Sequence, residues 1–116
     1  MDINEVFLQG RIGDDFKYAK DREGKEFATF SLCLNGKFRG SDAVTYIRIN
    51  VFHPIQIKYL HDVHAHIGNR VTISGFLQSY KKEIKGENII QNTVIVRDIS
   101  IRKTQNSETQ NSETKD

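Results

Sequence analysis

The stretch Val44–Phe52, VTYIRINVF, decides the fold. Strict alternation sets Thr45, Ile47, Ile49 and Val51 on one side and Val44, Tyr46, Arg48, Asn50 and Phe52 on the other, the period of two of a half-buried strand. The first set reads as a core face. The second carries a tyrosine, an arginine and a phenylalanine at successive same-side positions, which an ordinary solvent face does not. Flat rings beside a cation offer bases a surface to stack on and give a phosphate chain its countercharge. The same residues also suit packing against a second sheet or a subunit. The strand therefore reads as the middle of a small β domain and, in the first of these two uses, as the floor of a nucleic-acid site.

At 116 residues the chain has room for one domain and one core. No run approaches the roughly 18 apolar residues of a membrane span, and the opening Met-Asp-Ile-Asn has no signal-peptide pattern, so a cytoplasmic protein is expected. The lone Cys33, inside the apolar run FSLCL, is expected to be a small buried residue and fits a reducing compartment. Of 17 basic and 15 acidic residues, two lysines and three acids follow Arg102, leaving 15 and 12 in the first 102 positions. That balance is too even to hold a polyanion by bulk charge, so any such binding must rest on local clusters.

Outward from the central strand, EFATFSLCL at Glu26–Leu34 sets Ala28, Phe30, Leu32 and Leu34 on one face, a second strand with a buried side. NEVFLQGRIG near the start is another, with Gly10 expected at a bulge or sharp bend, and Phe16 to Ala19 is a short extended piece. Between the second and central strands, NGKFRGSD at Asn35–Asp42 reads as a loop that carries Lys37, Phe38 and Arg39, a ring between two cations; packing of Phe38 back onto the core is the competing use. After Phe52, Pro54 suits a first helical turn, Ile57, Leu60, Val63 or His64, and Ile67 recur at helical spacing, and Gly68 is placed to end the helix. RVTISGFLQ at Arg70–Gln78 is a strand with a glycine inside it, Gly75. YKKEIKGEN at Tyr80–Asn88 reads as a basic hairpin tip turning at Lys85-Gly86, and Ile89 to Ile101 is a last long strand.

The fold expected is all-β: five strands with one helix between the third and fourth, the order of an OB-fold Greek-key barrel over residues 1–102. An SH3-like barrel or an open α+β sheet uses the same parts, but the rings and cations fall where the OB-fold binds its ligands. Residues 103–116, KTQNSETQNSETKD, repeat TQNSE in tandem without one apolar side chain and read as a disordered low-complexity tail.

From Asn4 to Ile101 the chain resembles the bacterial single-stranded DNA-binding proteins, tetrameric OB-fold proteins of replication, recombination and repair. The resemblance is carried by NEVFLQGRIG with the Asp-Asp that follows, FATFSLCLN, TYIRINVF, Tyr59-Leu60 and GNRVTISGFLQ, in the family's order and spacing. It implies sequence-independent binding of single-stranded DNA and a homotetramer. By position, Phe38 takes the place of a loop tryptophan, Tyr46 that of a tryptophan in the third strand, and Phe52 matches a phenylalanine at that strand's end. Arg48 matches a basic residue, and Arg11 stands after the N-terminal glycine where a basic or polar residue is common. Lys82 lies near an aromatic position of the last hairpin, for which only Tyr80 could substitute. The implied site is then Phe38, Tyr46, Phe52 and Tyr80 for stacking, with Arg11, Lys37, Arg39, Arg48, Lys81 and Lys82 for phosphates. The chain departs from the family in having no tryptophan, in His53-Pro54 where Gly-Lys is usual, and in a tail ending Ser-Glu-Thr-Lys-Asp. The family's tail usually ends in an acidic cluster with a terminal Pro-Phe that recruits other proteins, so tail-mediated partners are not expected. These differences mark a divergent member.

No enzyme and no cofactor are expected. His61, His64 and His66 do not share one helical face, no cysteine pair completes a metal site, no glycine-rich phosphate loop is present, and Asp14-Asp15 read as turn residues. The reading from another class is an OB-fold protein-interaction or primosome-type adaptor whose nucleic-acid affinity is incidental.

Overall fold

The computed structural model describes residues 1–102; the tail expected over 103–116 lies outside them. Six strands and one helix follow in the order β1 (Val6–Ile12), β2 (Lys17–Lys20), β3 (Glu26–Phe38), β4 (Ser41–Val51), α1 (Pro54–Asp62), β5 (Arg70–Ile84) and β6 (Glu87–Arg102). The sheet order is β1-β5-β6-β4-β3-β2, and a further pairing of β1 with β3, Arg11 opposite Cys33 and Ile12 opposite Leu32, closes it. The expected count of five is met when β1 and β2 are taken as one broken strand, since both run antiparallel to β3. The short piece read at Phe16–Ala19 is thus a paired strand. The β4–β6 pairing is parallel and all others are antiparallel, as a five-stranded Greek-key barrel with the helix after its third strand requires.

The alternating face of β3 fills the barrel. Ala28, Phe30 and Leu32 are fully buried with Ile49 and Val51 of β4, Val71 and Ile73 of β5 and Val94 of β6. Leu60 of α1 joins them, and the Tyr59 hydroxyl accepts the Ile101 N–H at 2.9 Å, which ties the helix to β6. Backbones approach closely at two glycines; β1 pairs with β5 without a register shift at Gly10, so the expected bulge does not form there. A methyl group on Gly10 would collide with the Cys33 carbonyl, and one on Gly75 with the Ile95 carbonyl. At Gly75 the β5–β6 register also slips: Ser74 faces Asp98 and Gly75 faces Val96, so Arg97 bulges out. The bulge reverses the alternation of β6, so that Val96 and Ile99 both turn inward.

Several expectations are corrected. Residues 35–42 are not a loop: β3 and β4 stay paired out to Phe38 opposite Ser41, and only Arg39 and Gly40 turn, both at positive φ. Likewise β5 and β6 pair out to Ile84 opposite Glu87, so Tyr80 to Lys82 lie on a strand; the turn at Lys85-Gly86 is as expected. The helix stops at Asp62, six residues before Gly68, because His64 takes a left-handed conformation (φ 57°) after the Val63 cap. The core face of β4 fades toward its hairpin: Ile47 is half-buried and Thr45 exposed. Cys33 is half-buried on the outer face and not in the core.

Gly75→Ala should lower unfolding free energy by about 3 kcal/mol or more, while Gly36→Ala, with open space around it, should stay within about 0.5 kcal/mol of wild type in urea denaturation. Equal effects at the two sites would mean that the close approach of β6 to Gly75 is not needed.

Candidate nucleic-acid interface

The residues left out of the core form a second surface. In register, Arg11, Cys33 and Tyr46 lie side by side across β1, β3 and β4; the next row holds Ser31, Arg48 and Thr93, and the next Lys17, Thr29 and Asn50. The Asn50 amide donates to the Thr93 hydroxyl at 3.2 Å, joining β4 to β6 on this side. Phe52 ends the array, its ring 5.3 Å from that of Phe27 and tilted by 32°. From Tyr46 to Phe52 the strand runs about 20 Å.

Three hollows lie along this face. One, of about 270 Å³, is walled by Arg11, Gly13, Ser31, Cys33 and Tyr46. The next, of about 330 Å³, lies between Lys17, Phe27, Arg48, Asn50 and Tyr80. The last, of about 480 Å³, is lined by Phe52, Pro54 and Ile57 together with Lys25, Glu26, Lys58 and His61. Ser31–Arg48 joins the first pair and Phe27–Phe52 the second, so the hollows form one track. The rings along it are open: Tyr46 is 67% exposed, Tyr80 48% and Phe52 47%.

Arg48 is not free. Its Nη2 lies 2.8 Å from Asp15 Oδ2, and Asp15 also accepts the Ser31 N–H at 2.8 Å and the Ser31 hydroxyl at 3.0 Å. Burial alone would push the Asp15 carboxyl up, but the two Ser31 hydrogen bonds and the Arg48 guanidinium outweigh it and hold the carboxyl below its ordinary value. His61, in the lining of the last hollow, stacks on Tyr18 with centroids 3.9 Å apart and meets Glu26 at 3.1 Å. Among the described residues no group of His, Cys, Asp and Glu is arranged to hold a metal ion, and no helix is long and apolar enough to cross a membrane.

A family model described as the single-strand binding protein family matches residues 3–102. The chain belongs to that family. Among solved structures, a single-strand binding protein (SSB) of Plasmodium falciparum in complex with single-stranded DNA superposes with a TM-score of 0.76 at 24% identity, over 88% of this chain and 96% of that one. The mitochondrial single-stranded DNA-binding protein Rim1 of S. cerevisiae gives 0.70 at 23% identity, over 89% and 98%. These two show that the barrel is shared. No curated protein matches the chain.

Within this single-strand binding protein, the residues singled out from sequence fall into two groups. Arg11, Tyr46, Arg48, Phe52 and Tyr80 line the track. Lys82 shares the strand face of Tyr80, whereas Lys81 takes the opposite one. On the β3–β4 arm Lys37 is on the Tyr46 face, paired with Asp42 at 2.8 Å, and Phe38 is on the other face. Phe38 is 66% exposed with the Arg39 guanidinium 5.3 Å from its ring, so it does not fold back onto the core. Sequence reading missed Phe27, Ser31 and Asp15. The first two share the parity of Cys33 on β3, but only the register shows that they meet Phe52 and Arg48.

Because its folded pKa is depressed, Asp15 stabilises the fold above its ordinary pKa, and that contribution is lost as pH falls through the lower folded value. Wild type should therefore melt above Asp15→Asn at pH 7, and the gap should close as pH drops below about 4 in thermal scans. A gap independent of pH would contradict a charged Asp15.

Proposed function

We propose that this protein binds and protects single-stranded DNA without regard to sequence, in replication, recombination or repair, and that it is not an enzyme. The observation that carries the reading is the track of exposed rings Tyr46, Tyr80 and Phe52, set between cations on the outside of a closed barrel. Membership of the single-strand binding protein family and likeness to an SSB solved with single-stranded DNA support it.

Bases stack on Tyr46, Phe52 and Tyr80, whose ring faces take any base, and Phe38 offers a further ring out on the β3–β4 arm. Arg11, Lys37, Arg39, Arg48, Lys81 and Lys82 supply charge for phosphates, and the cations without an internal partner release counterions on binding. Arg11 makes no ion pair among the described residues, so its whole charge is open to DNA. The single free cysteine fits a reducing compartment, and we place the protein in the cytoplasm.

The assembly we propose is a homotetramer. β1 meets β3 only at Arg11 and Ile12, leaving the Val6–Gly10 edge on that side without a strand partner among the described residues, and Phe7 beside it is 75% exposed. An open edge with an exposed ring suits addition of a second copy. Light scattering should give a mass four times that of the 13.4 kDa chain; a monomer would remove the tetramer and leave the fold.

In fluorescence anisotropy with oligothymidine, Tyr46→Ala should cost about 1–3 kcal/mol with an unchanged salt slope, and Arg11→Gln should flatten the slope of log K against log salt by about 0.7. A duplex of equal length should bind far more weakly. Equal affinity for duplex and single strand, with both variants silent, would favour a protein-binding adaptor.

A further inference from the structure

Asp14 and Glu26 line the hollows, but the carboxylate that holds a cation of the track is Asp15. Asp15 lies in the break between β1 and β2 and occupies three donors together: the Arg48 guanidinium, the Ser31 N–H and the Ser31 hydroxyl. Carboxylate and phosphate oxygens satisfy a guanidinium through the same geometry. The cluster is open to solvent, with the side chains of Arg48 and Asp15 41% and 36% exposed, so a ligand can reach it without unfolding anything. We propose that Asp15 stands in for a backbone phosphate of the bound strand: it holds Arg48 in place in the free protein and must release it when DNA binds.

This rests on the single-stranded DNA reading and adds two consequences. Asp15 lowers affinity, since part of the Arg48–phosphate interaction replaces one that already existed. It also takes Arg48 out of the salt dependence. A free cation that meets a phosphate of a single strand contributes about 0.7 to the slope through counterion release. When Arg48 changes partner, the phosphate sheds a counterion while the released carboxylate gains one, and the two cancel. Arg48 and Arg11 lie on the same face yet differ in this respect.

The test is a salt titration of oligothymidine binding with the full chain. Asp15→Asn keeps the Ser31 contacts, because the amide oxygen accepts from the N–H and the amide nitrogen donates to the hydroxyl, but it cannot hold the guanidinium. It should bind about tenfold tighter at low salt, equivalent to about 1.4 kcal/mol, with a slope steeper by about 0.7. Arg48→Gln should weaken binding and leave the slope within about 0.3 of wild type. Asp98→Asn, which removes a carboxylate from β6 beyond the track, should change affinity less than about twofold. If Asp15→Asn melts in the assay range, the same titration at a temperature below its melting should show the same two signs. Unchanged or weaker binding by a folded Asp15 variant would overturn the proposal and mark Asp15 as a positioning residue, as would an Arg48→Gln slope flattened by about 0.7. These results would leave the single-stranded DNA reading intact, whereas failure of wild type to bind oligothymidine at all would end both.

Discussion

Closing a sheet on itself leaves one interior, and every second residue of each strand must then find a place outside it. Here the ring closes through two residue pairs, Arg11–Cys33 and Ile12–Leu32, and the interior is filled by side chains such as Phe30, Leu32, Ile49 and Leu60, each contributing roughly 1.5–3 kcal/mol on burial. Among the described residues no second sheet covers the outer face. Tyr46, Arg48 and Phe52 are therefore left on the surface by the same alternation that places Ile47, Ile49 and Val51 toward the core. Gly10 and Gly75 make this possible, since a side chain at either would push away the neighbouring strand's backbone, at Cys33 and at Ile95.

Much of this was legible because β3 and β4 mark both faces: one row is apolar except for Thr45, and the other mixes rings, polar groups and a cation. The strand order, the helix start at Pro54 and the need for glycine at positions 10 and 75 followed from local chemistry. What was not legible depends on partners distant in sequence. Residues 35–42 look like a loop because Asn, Gly and Ser abound there, yet a ladder already begun at Ala28–Val51 carries the backbone outward until two residues suffice to turn. Periodicity along β6 could not reveal the Arg97 bulge, which turns both Val96 and Ile99 inward. The helix ran short because nothing in its spacing announces a left-handed His64. Asp15 looked like a turn residue, and its ion pair with Arg48 appears only once the broken first strand is laid against β3.

The outer face is less positive than its composition implies. Arg48 is paired with Asp15, Lys37 with Asp42 and Lys58 with Asp62. On the proposed reading the rings hold the polyanion, and the few cations without an ion pair among the described residues, such as Arg11, add the salt-dependent part. Such a division suits recognition that ignores sequence, because a ring face meets all bases alike. Without tryptophan each stacking contact is smaller, so several must act along the 20 Å or so of the track.

The most direct measurement is ultraviolet cross-linking of the protein to a bromouracil-substituted single strand, with the attached residues mapped by mass spectrometry. Cross-links should concentrate on Tyr46, Phe52 and Tyr80. Cross-links confined to Phe7 and Phe76 on the β1–β5 side of the barrel, with these three rings unmodified, would show that the strand runs elsewhere.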